Sequence, residues 1–309
     1  MCEAPIHFTL KREVGILRSF FHRKPHLLFI MPAVVLMAVL TFVPTIFLYA
    51  LSLTNYELGS PSYRFVGLEN YVRLFSGGDP EFWKSFWLSI KFMVIVTVLE
   101  LAFGFALALL LDREFRFKFI VFACLIVPIA MTPSITGQLW KLMLNAEYGV
   151  VNYLLEKSFG WKVVWLSESN AFLSTVLVDV WQNTPFVALI LYAGLKSLPV
   201  DPYEAAMMDG ANRAQMLRHI TLPLLKPMFL LAVVFRSMDA LKLFDIPFSL
   251  TQGGPGSATE FLSLHVYRLG FAQTGWVGRA SATAVVLLML ISIISILLIK
   301  AFRKGVEER

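Results

Sequence analysis

The chain has 309 residues with a net charge of +6 at neutral pH; 57% of its residues are hydrophobic and 16% charged, and its mean hydropathy is +0.69. An ordinary soluble domain is about 25% charged, and a fold of this length cannot hide so much apolar surface, so a membrane solvent is implied. The pI near 9.3 comes without any cluster of cations interleaved with aromatics, which argues against a nucleic-acid surface. Cys2 and Cys124 lie far apart, the latter inside an apolar run, and suggest neither a disulfide framework nor a metal site.

Residues 1–26 read as a basic tail carrying Lys11, Arg12, Arg18, Arg23 and Lys24. A cleavable leader has an apolar core of about 7 to 15 residues ending at small side chains. The run from Leu27 to Leu53 is longer and ends among Tyr49, Tyr56 and polar residues, so it reads as a retained first span. Further apolar runs near 86–111, 118–139, 171–196, 224–247 and 280–301 complete an all-α membrane protein with six transmembrane helices over 27–301, and 302–309 reads as a second tail. Pro128 and Pro133 interrupt the third run, and Arg236, Asp239, Lys242 and Asp245 load the fifth with charge. Both are expected to be kinked, since neighbouring helices can satisfy the freed backbone groups.

Orientation follows from the cations. With the N-terminus inside, the inner side collects the five tail cations, then Arg113, Arg116 and Lys118, then Lys196, Arg213, Arg218 and Lys226, then Lys300, Arg303, Lys304 and Arg309. The outer side holds half as many: Arg64, Arg73, Lys84, Lys141, Lys157, Lys162, Arg268 and Arg279. Both termini are therefore expected in the cytoplasm. Trp83, Trp87, Trp140, Trp161 and Trp165 fall near the outer ends of spans, where amphipathic aromatics prefer the interface. His7, His22, His26, His219 and His265 are scattered and read as solvent-facing or interfacial, so the parts of a catalytic triad or metal cluster are missing.

The segment 198–223, between the fourth and fifth spans, carries ordered local signals. Asp201 suits an N-cap, Pro202 the first helical position and Glu204 the third residue of a capping box. Gly210 can close this short helix in a left-handed cap, and Asn212 with Gln215 three residues on starts a second helix running toward Pro223 and the fifth span. Two short helices meeting at a sharp turn are expected to project from the membrane. An amphipathic helix lying on the lipid surface would want basic residues, whereas Glu204 and Asp209 are acidic.

Glu204-Ala205-Ala206, Asp209-Gly210-Ala211 and Ile220, Leu222, Pro223 resemble the EAA loop of binding-protein-dependent ABC importer permeases. The resemblance implies a type I importer permease fold whose coupling helix docks in a cleft of a separate ATPase through Tyr203, Glu204, Ala205, Ala206, Met207, Met208, Asp209, Gly210 and Ala211. Small Ala205 and Ala206 permit close approach, and Met207 and Met208 fill irregular grooves. A phosphate-cradling loop needs Gly directly before Lys, a pair that occurs nowhere in the chain. The chain is thus expected to bind no cofactor and to be no enzyme, with ATP and Mg on partner ATPase subunits. Leu250-Thr251-Gln252-Gly253-Gly254-Pro255-Gly256 with Thr259 and Leu262 is similar to the outer loop of carbohydrate permeases of the maltose and glycerol-phosphate branch. That likeness implies a sugar-like cargo, a soluble extracytoplasmic binding protein, a second and different permease, and two ATPase subunits. The chain departs from the maltose permease in lacking extra N-terminal spans and a large outer insertion.

Strongly polar residues at bilayer depth are costly and mark a pathway by default. Glu100 in the second span, Asp179, Trp181, Gln182, Asn183 and Phe186 in the fourth, and Arg236, Asp239, Leu243 and Phe244 in or after the fifth are candidates to line it. Hydrogen-bonding rims and aromatic faces suit a sugar, while Arg236 leaves room for an anionic cargo such as a uronate, a sulfonated sugar or a glycerophosphodiester. The competing reading makes Arg236 and Asp239, three apart on a helix, neutralise each other, with Glu100 paired to a neighbouring cation for structure alone. An amino-acid or peptide importer, or an ion-coupled transporter built from inverted repeats, would be the alternatives.

Overall fold

A computed structural model describes residues 26–272 and 275–307. Most of the N-terminal tail, including the cations from Lys11 to Lys24 with His7 and His22, and the last two residues lie outside the described residues. The chain divides into two units, 1–51 and 52–309. The first contributes α1, His26–Ser52, an apolar helix that continues through Pro32 and Pro44.

Among its described residues the regular structure of the second unit is helical apart from one isolated antiparallel bridge, Thr54 to Phe65. Helix α2 is Glu69–Phe75 and α3 is Pro80–Asp112. The start of α3 lies ahead of the expected 86, because Asp79 accepts from the Phe82 amide at 3.2 Å and Pro80 occupies the first position, where its missing N–H costs nothing. The third span is two helices, α4 Lys118–Ala130 and α5 Pro133–Met143, bent by 103°. Pro133 disfavours helical backbone at the residue before it, and Thr132 is extended at ψ 140°. Helix α6 is Val150–Phe159 and α7 Ala171–Lys196, unbroken through Pro185.

After α7 come α8 Asp201–Met208, α9 Arg213–Met216, a π-helical turn Leu217–Thr221 and α10 Leu222–Leu224, and then α11 Lys226–Leu241. Helix α11 stops short of the expected 247. The chain turns at Lys242–Phe244 and restarts as α12 Asp245–Leu250, then α13 Leu262–Tyr267, a π turn Arg268–Ala272, and α14 Val277–Glu307. Among the described residues four helices are long and apolar enough to cross a membrane, and up to six spans result if each bent pair counts as one.

Phe92, Val96, Val176, Val178, Leu241, Ile246 and Phe261 pack into one core joining α3, α7, the end of α11, α12 and the loop after it. Ala108, Val187, Leu191 and Ala232 form a second between α3, α7 and α11. Helices in lipid gain little from burying apolar surface and associate by close packing of small residues. Gly104 is such a residue: a Cβ there would lie 2.7 Å from Val187 Cγ1 and 3.1 Å from the Ala188 amide nitrogen. Overpacking typically costs about 1–3 kcal/mol, so Gly104→Ala is expected to lower the Tm of the detergent-solubilised protein and Gly104→Ile to lower it further. Adding Val187→Ala should restore part of the loss, as measured by thermal unfolding.

Candidate functional site

Two features emerge from the predicted residues: an elbow between α7 and α11, and a polar layer inside the spans. The elbow begins at α8, where the expected cap is not formed. Val200 is the capping residue, with helical backbone and no side-chain cap bond, and Asp201 and Pro202 already lie within the first turn. The physical reason is that the helical conformation starts one residue early, with Glu204 N–H reaching the Val200 carbonyl at 3.2 Å. Asp201 and Glu204 then face the positive end of the helix dipole instead of serving as a capping box.

The far end follows expectation. Gly210 sits at φ +79°, the Ala211 amide donates to Ala206 O at 2.9 Å and the Gly210 amide to Met207 O at 3.1 Å, a Schellman closure. Asn212 and Gln215 form a reciprocal capping box, with bonds of 2.8 and 2.9 Å. The Tyr203 hydroxyl lies 2.9 Å from Thr221 Oγ1 and ties α8 back to the π turn. The next helix is bent by 62° before α11, so the second elbow helix does not run straight into the fifth span. No residue of α8 is buried, and Met207 and Met208 are 57% and 89% exposed. Eight residues without a buried face would not hold a helix by tertiary packing; here the closure at Gly210 and one side-chain tether do so.

Inside the spans Glu100, Asp179 and Arg236 converge from α3, α7 and α11, all essentially buried. Arg236 Nε donates to Glu100 Oε2 at 2.5 Å, and Nη2 donates to Glu100 Oε1 and Asp179 Oδ2, each at 2.9 Å. Asn183 adds a bond to Asp179 Oδ1 at 3.1 Å. Of the competing reading, the Arg236–Asp239 pair is not made, while Glu100 is paired to a cation, Arg236 itself. Arg236 points into the bundle, and Asp239 turns out to pair with Lys242 at 3.0 Å, both about half exposed.

Gln182 Nε2 donates to Met131 O at 3.0 Å, satisfying a carbonyl freed by the break between α4 and α5, while its buried Oε1 has no hydrogen-bond partner among the described residues. Trp181 meets Trp140 edge to face at 5.5 Å, and Phe186 meets Phe235 at 6.4 Å. Leu243 is packed into the larger core. Phe244 joins Phe248 and Tyr267 in an aromatic group with centroids 5.2 to 5.5 Å apart.

Sequence reasoning missed His265, which is not solvent-facing: it is 4% exposed. Nδ1 lies 3.0 Å from Glu260 Oε1 and Nε2 lies 3.1 Å from Asp79 Oδ2, and Arg268 bonds Glu260. This network clamps the loop 251–261 to the start of α3. Arg268 also reaches Gln252 O at 3.1 Å, and the Thr251 and Thr259 hydroxyls lie 2.6 Å apart. The spacing of Glu260, His265 and Arg268 hints at a local cluster, but Asp79 is 186 residues away in sequence. Burial opposes the charge on His265, yet its bonds to Asp79 and Glu260 outweigh burial and raise its pKa to about 9. Burial likewise opposes the charge on Asp79 and Glu260, and bonds to His265 lower both carboxyls overall.

These features define a polytopic helical membrane subunit: spans joined by a rigid, outward-presented elbow, with polar chemistry inside the bundle. The chain belongs to the binding-protein-dependent transport system inner membrane components, whose family profile matches residues 81–308. It is 36% identical to the trehalose/maltose transport system permease protein of Thermococcus litoralis, over 89% of this chain and 92% of that one. It is 35% identical to the sulfoquinovosyl glycerol transport system permease protein of Agrobacterium fabrum, over 85% of each. The fold matches a chain of a bacterial ABC transporter that imports the acidic polysaccharide alginate, with a TM-score of 0.76 and 22% identity over 93% of this chain and 98% of that one. The membrane assignment and the type I permease architecture expected from the sequence are thereby established.

Two outcomes are expected. Removing one member of a buried ionic cluster costs about 3–5 kcal/mol in soluble proteins, so Arg236→Met should sharply lower Tm and yield. The triple change Arg236→Met, Glu100→Gln, Asp179→Asn should recover much of both, as read by thermal unfolding in detergent. For His265 the folded pKa lies above the free value of 6.5. The stability it contributes, on the order of 3 kcal/mol, is complete below about pH 6.5 and is lost as pH rises through about 9. Tm measured from pH 7 to pH 10 should therefore fall in the wild type and stay flatter in His265→Ala.

Proposed function

We propose that this chain is the sugar-translocating permease of an ABC importer, with α8 as the helix that couples it to a separate ATPase. The observation that carries the coupling role is the elbow itself: a helix with no buried face, closed at Gly210 and tied through Tyr203, presenting Met207 and Met208 outward. Such a surface suits insertion into a groove on another subunit. The absence of any Gly-Lys pair in the sequence supports placing ATP and Mg on two partner ATPases, and the cation distribution supports an elbow and both termini on the cytoplasmic side. A second permease, different from this one, completes the pathway. A soluble receptor delivers the cargo, and ATPase closure and opening swing the spans between outward-facing and inward-facing states.

The sugar assignment rests on relatives named for trehalose and maltose and for a sulfoquinovosyl glycerol. Trp181, Asn183 and Phe186, only partly buried along α7, offer the aromatic faces and amide groups that such a cargo needs. Arg236 is already shared by two carboxylates and so offers no free positive charge. That favours a neutral cargo at this depth over an anionic one.

The coupling role is tested at Gly210. A Cβ there would meet nothing within 4 Å, so substitution acts only through the left-handed backbone, which disfavours a β-branched residue by about 1–2 kcal/mol. Gly210→Val is expected to leave the protein inserted and assembled but to uncouple ATP hydrolysis from uptake, while Gly210→Asn, which tolerates this conformation, retains most transport. Normal uptake in Gly210→Val would contradict the reading.

A further inference from the structure

Three arginines gather around one polar cavity of about 310 Å³ at the ends of the spans. Arg64 comes from the loop after α1, Arg73 from α2 and Arg279 from the first turn of α14. Arg279 lies over the Trp276 ring at 4.0 Å, and the Arg73 stem packs against Gly78. The walls are fixed by backbone bonds: Leu58 N–H to Gly275 O at 2.7 Å, Gly278 N–H to Tyr56 O at 2.9 Å, and Asn55 N–H to Arg64 O at 3.1 Å. Asn70 bonds the Ser52 and Thr54 carbonyls, each at 2.8 Å. Gly278 makes the arrangement possible, since a Cβ there would fall 2.1 Å from Thr54 O. Only glycine lets the last span start against this loop and bring Arg279 to the cavity.

Glu57 and Glu69 also line the cavity, yet among the described residues none of the three guanidinium groups makes an ion pair or a side-chain hydrogen bond. Elsewhere Lys84, Lys118, Lys196, Lys242, Arg236 and Arg268 all have carboxylate partners. Arg73 and Arg279 also lie within range to repel each other. Guanidinium donors held in a fixed cluster match the oxygens of a phosphate. The level is that of the interface, because Trp276 and Arg279 open α14, residues 54–57 follow the end of α1, and an adjoining cavity that shares Arg73, Trp276 and Arg279 reaches Asp79 and Pro80 at the start of α3.

We propose that this cavity binds a phosphate oxyanion, supplied by the headgroup of an anionic phospholipid. The net positive surplus selects phosphatidylglycerol over phosphatidylcholine, whose quaternary ammonium would be brought among like charges.

The test is native mass spectrometry of the full-length chain in its assembled transporter, titrated with each lipid in turn. Phosphatidylglycerol is expected to remain bound in preference to phosphatidylcholine. At about 1 kcal/mol per arginine, R73Q/R279Q should weaken that retention about thirtyfold. Arg64→Gln, in an exposed loop where folding is not at stake, should weaken it about fivefold by the same measure. Arg113→Gln/Arg116→Gln, beyond the opposite end of α3, should change nothing. If inorganic phosphate alone displaces the lipid and protects against unfolding equally well, the oxyanion site stands and its source is soluble phosphate. Equal retention of the two lipids, unchanged retention in both cavity variants, or a defect confined to docking of the soluble receptor would overturn the proposal.

Discussion

Arg236 cannot leave the bundle without stranding two carboxylates. Glu100 on α3 and Asp179 on α7 are both buried and both hydrogen-bonded to its guanidinium, so three helices are joined where water cannot compensate a broken contact. Apolar packing between spans gains little in lipid, which leaves this cluster as the most direction-dependent tie among α3, α7 and α11. The Gly104 contact between α3 and α7 acts in the same place: close approach of those helices sets the positions of Glu100 and Asp179 to within the reach of one arginine.

The tie continues toward the elbow. Gly194, near the end of α7, lies so close to α11 that a Cβ would fall 2.5 Å from Met228 Cγ and 2.9 Å from Leu225 Cδ2. Leu225 is the residue at which the chain bends by 62° into α11. The elbow is therefore anchored to the same two helices that the charge cluster joins deeper in the bundle. The π turn Leu217–Thr221 lies between, and π turns alter helix register without breaking the backbone bonds. On the proposed reading, displacement of α8 passes through Tyr203 and Thr221 into that turn and reaches α7 and α11 as one unit.

Local chemistry was legible in the sequence wherever a few adjacent residues decide the outcome. Asn212 and Gln215 cap as their spacing predicts, and Gly210 takes the left-handed conformation its position demands. Asp201 failed as a cap because the backbone had already turned helical at Val200, a choice made by the chain before the motif. The order of the apolar segments was legible from hydropathy, but the ends were not: Asp79 and Pro80 extend α3 through a polar first turn that lowers its hydropathy. Partners separated by long stretches were invisible. Arg236 and Asp239 looked like a helix-face pair, yet the arginine goes to residues 136 and 57 positions away, because a guanidinium buried inside the bundle needs full pairing while Asp239 stays half exposed beside Lys242.

The polar residues of α7 divide by the same criterion. Asp179 is committed to Arg236, and Gln182 gives its amide to Met131 at the break between α4 and α5, so both serve the scaffold. Asn183 donates its amide to the Asp179 carbonyl and Oδ1 yet stays partly exposed, as do Trp181 and Phe186. A pathway needs groups that can exchange partners during passage. Residues whose bonds hold helices together cannot do so without loosening the bundle; on the proposed reading the partly exposed side chains contact cargo and the buried ones keep those side chains in register.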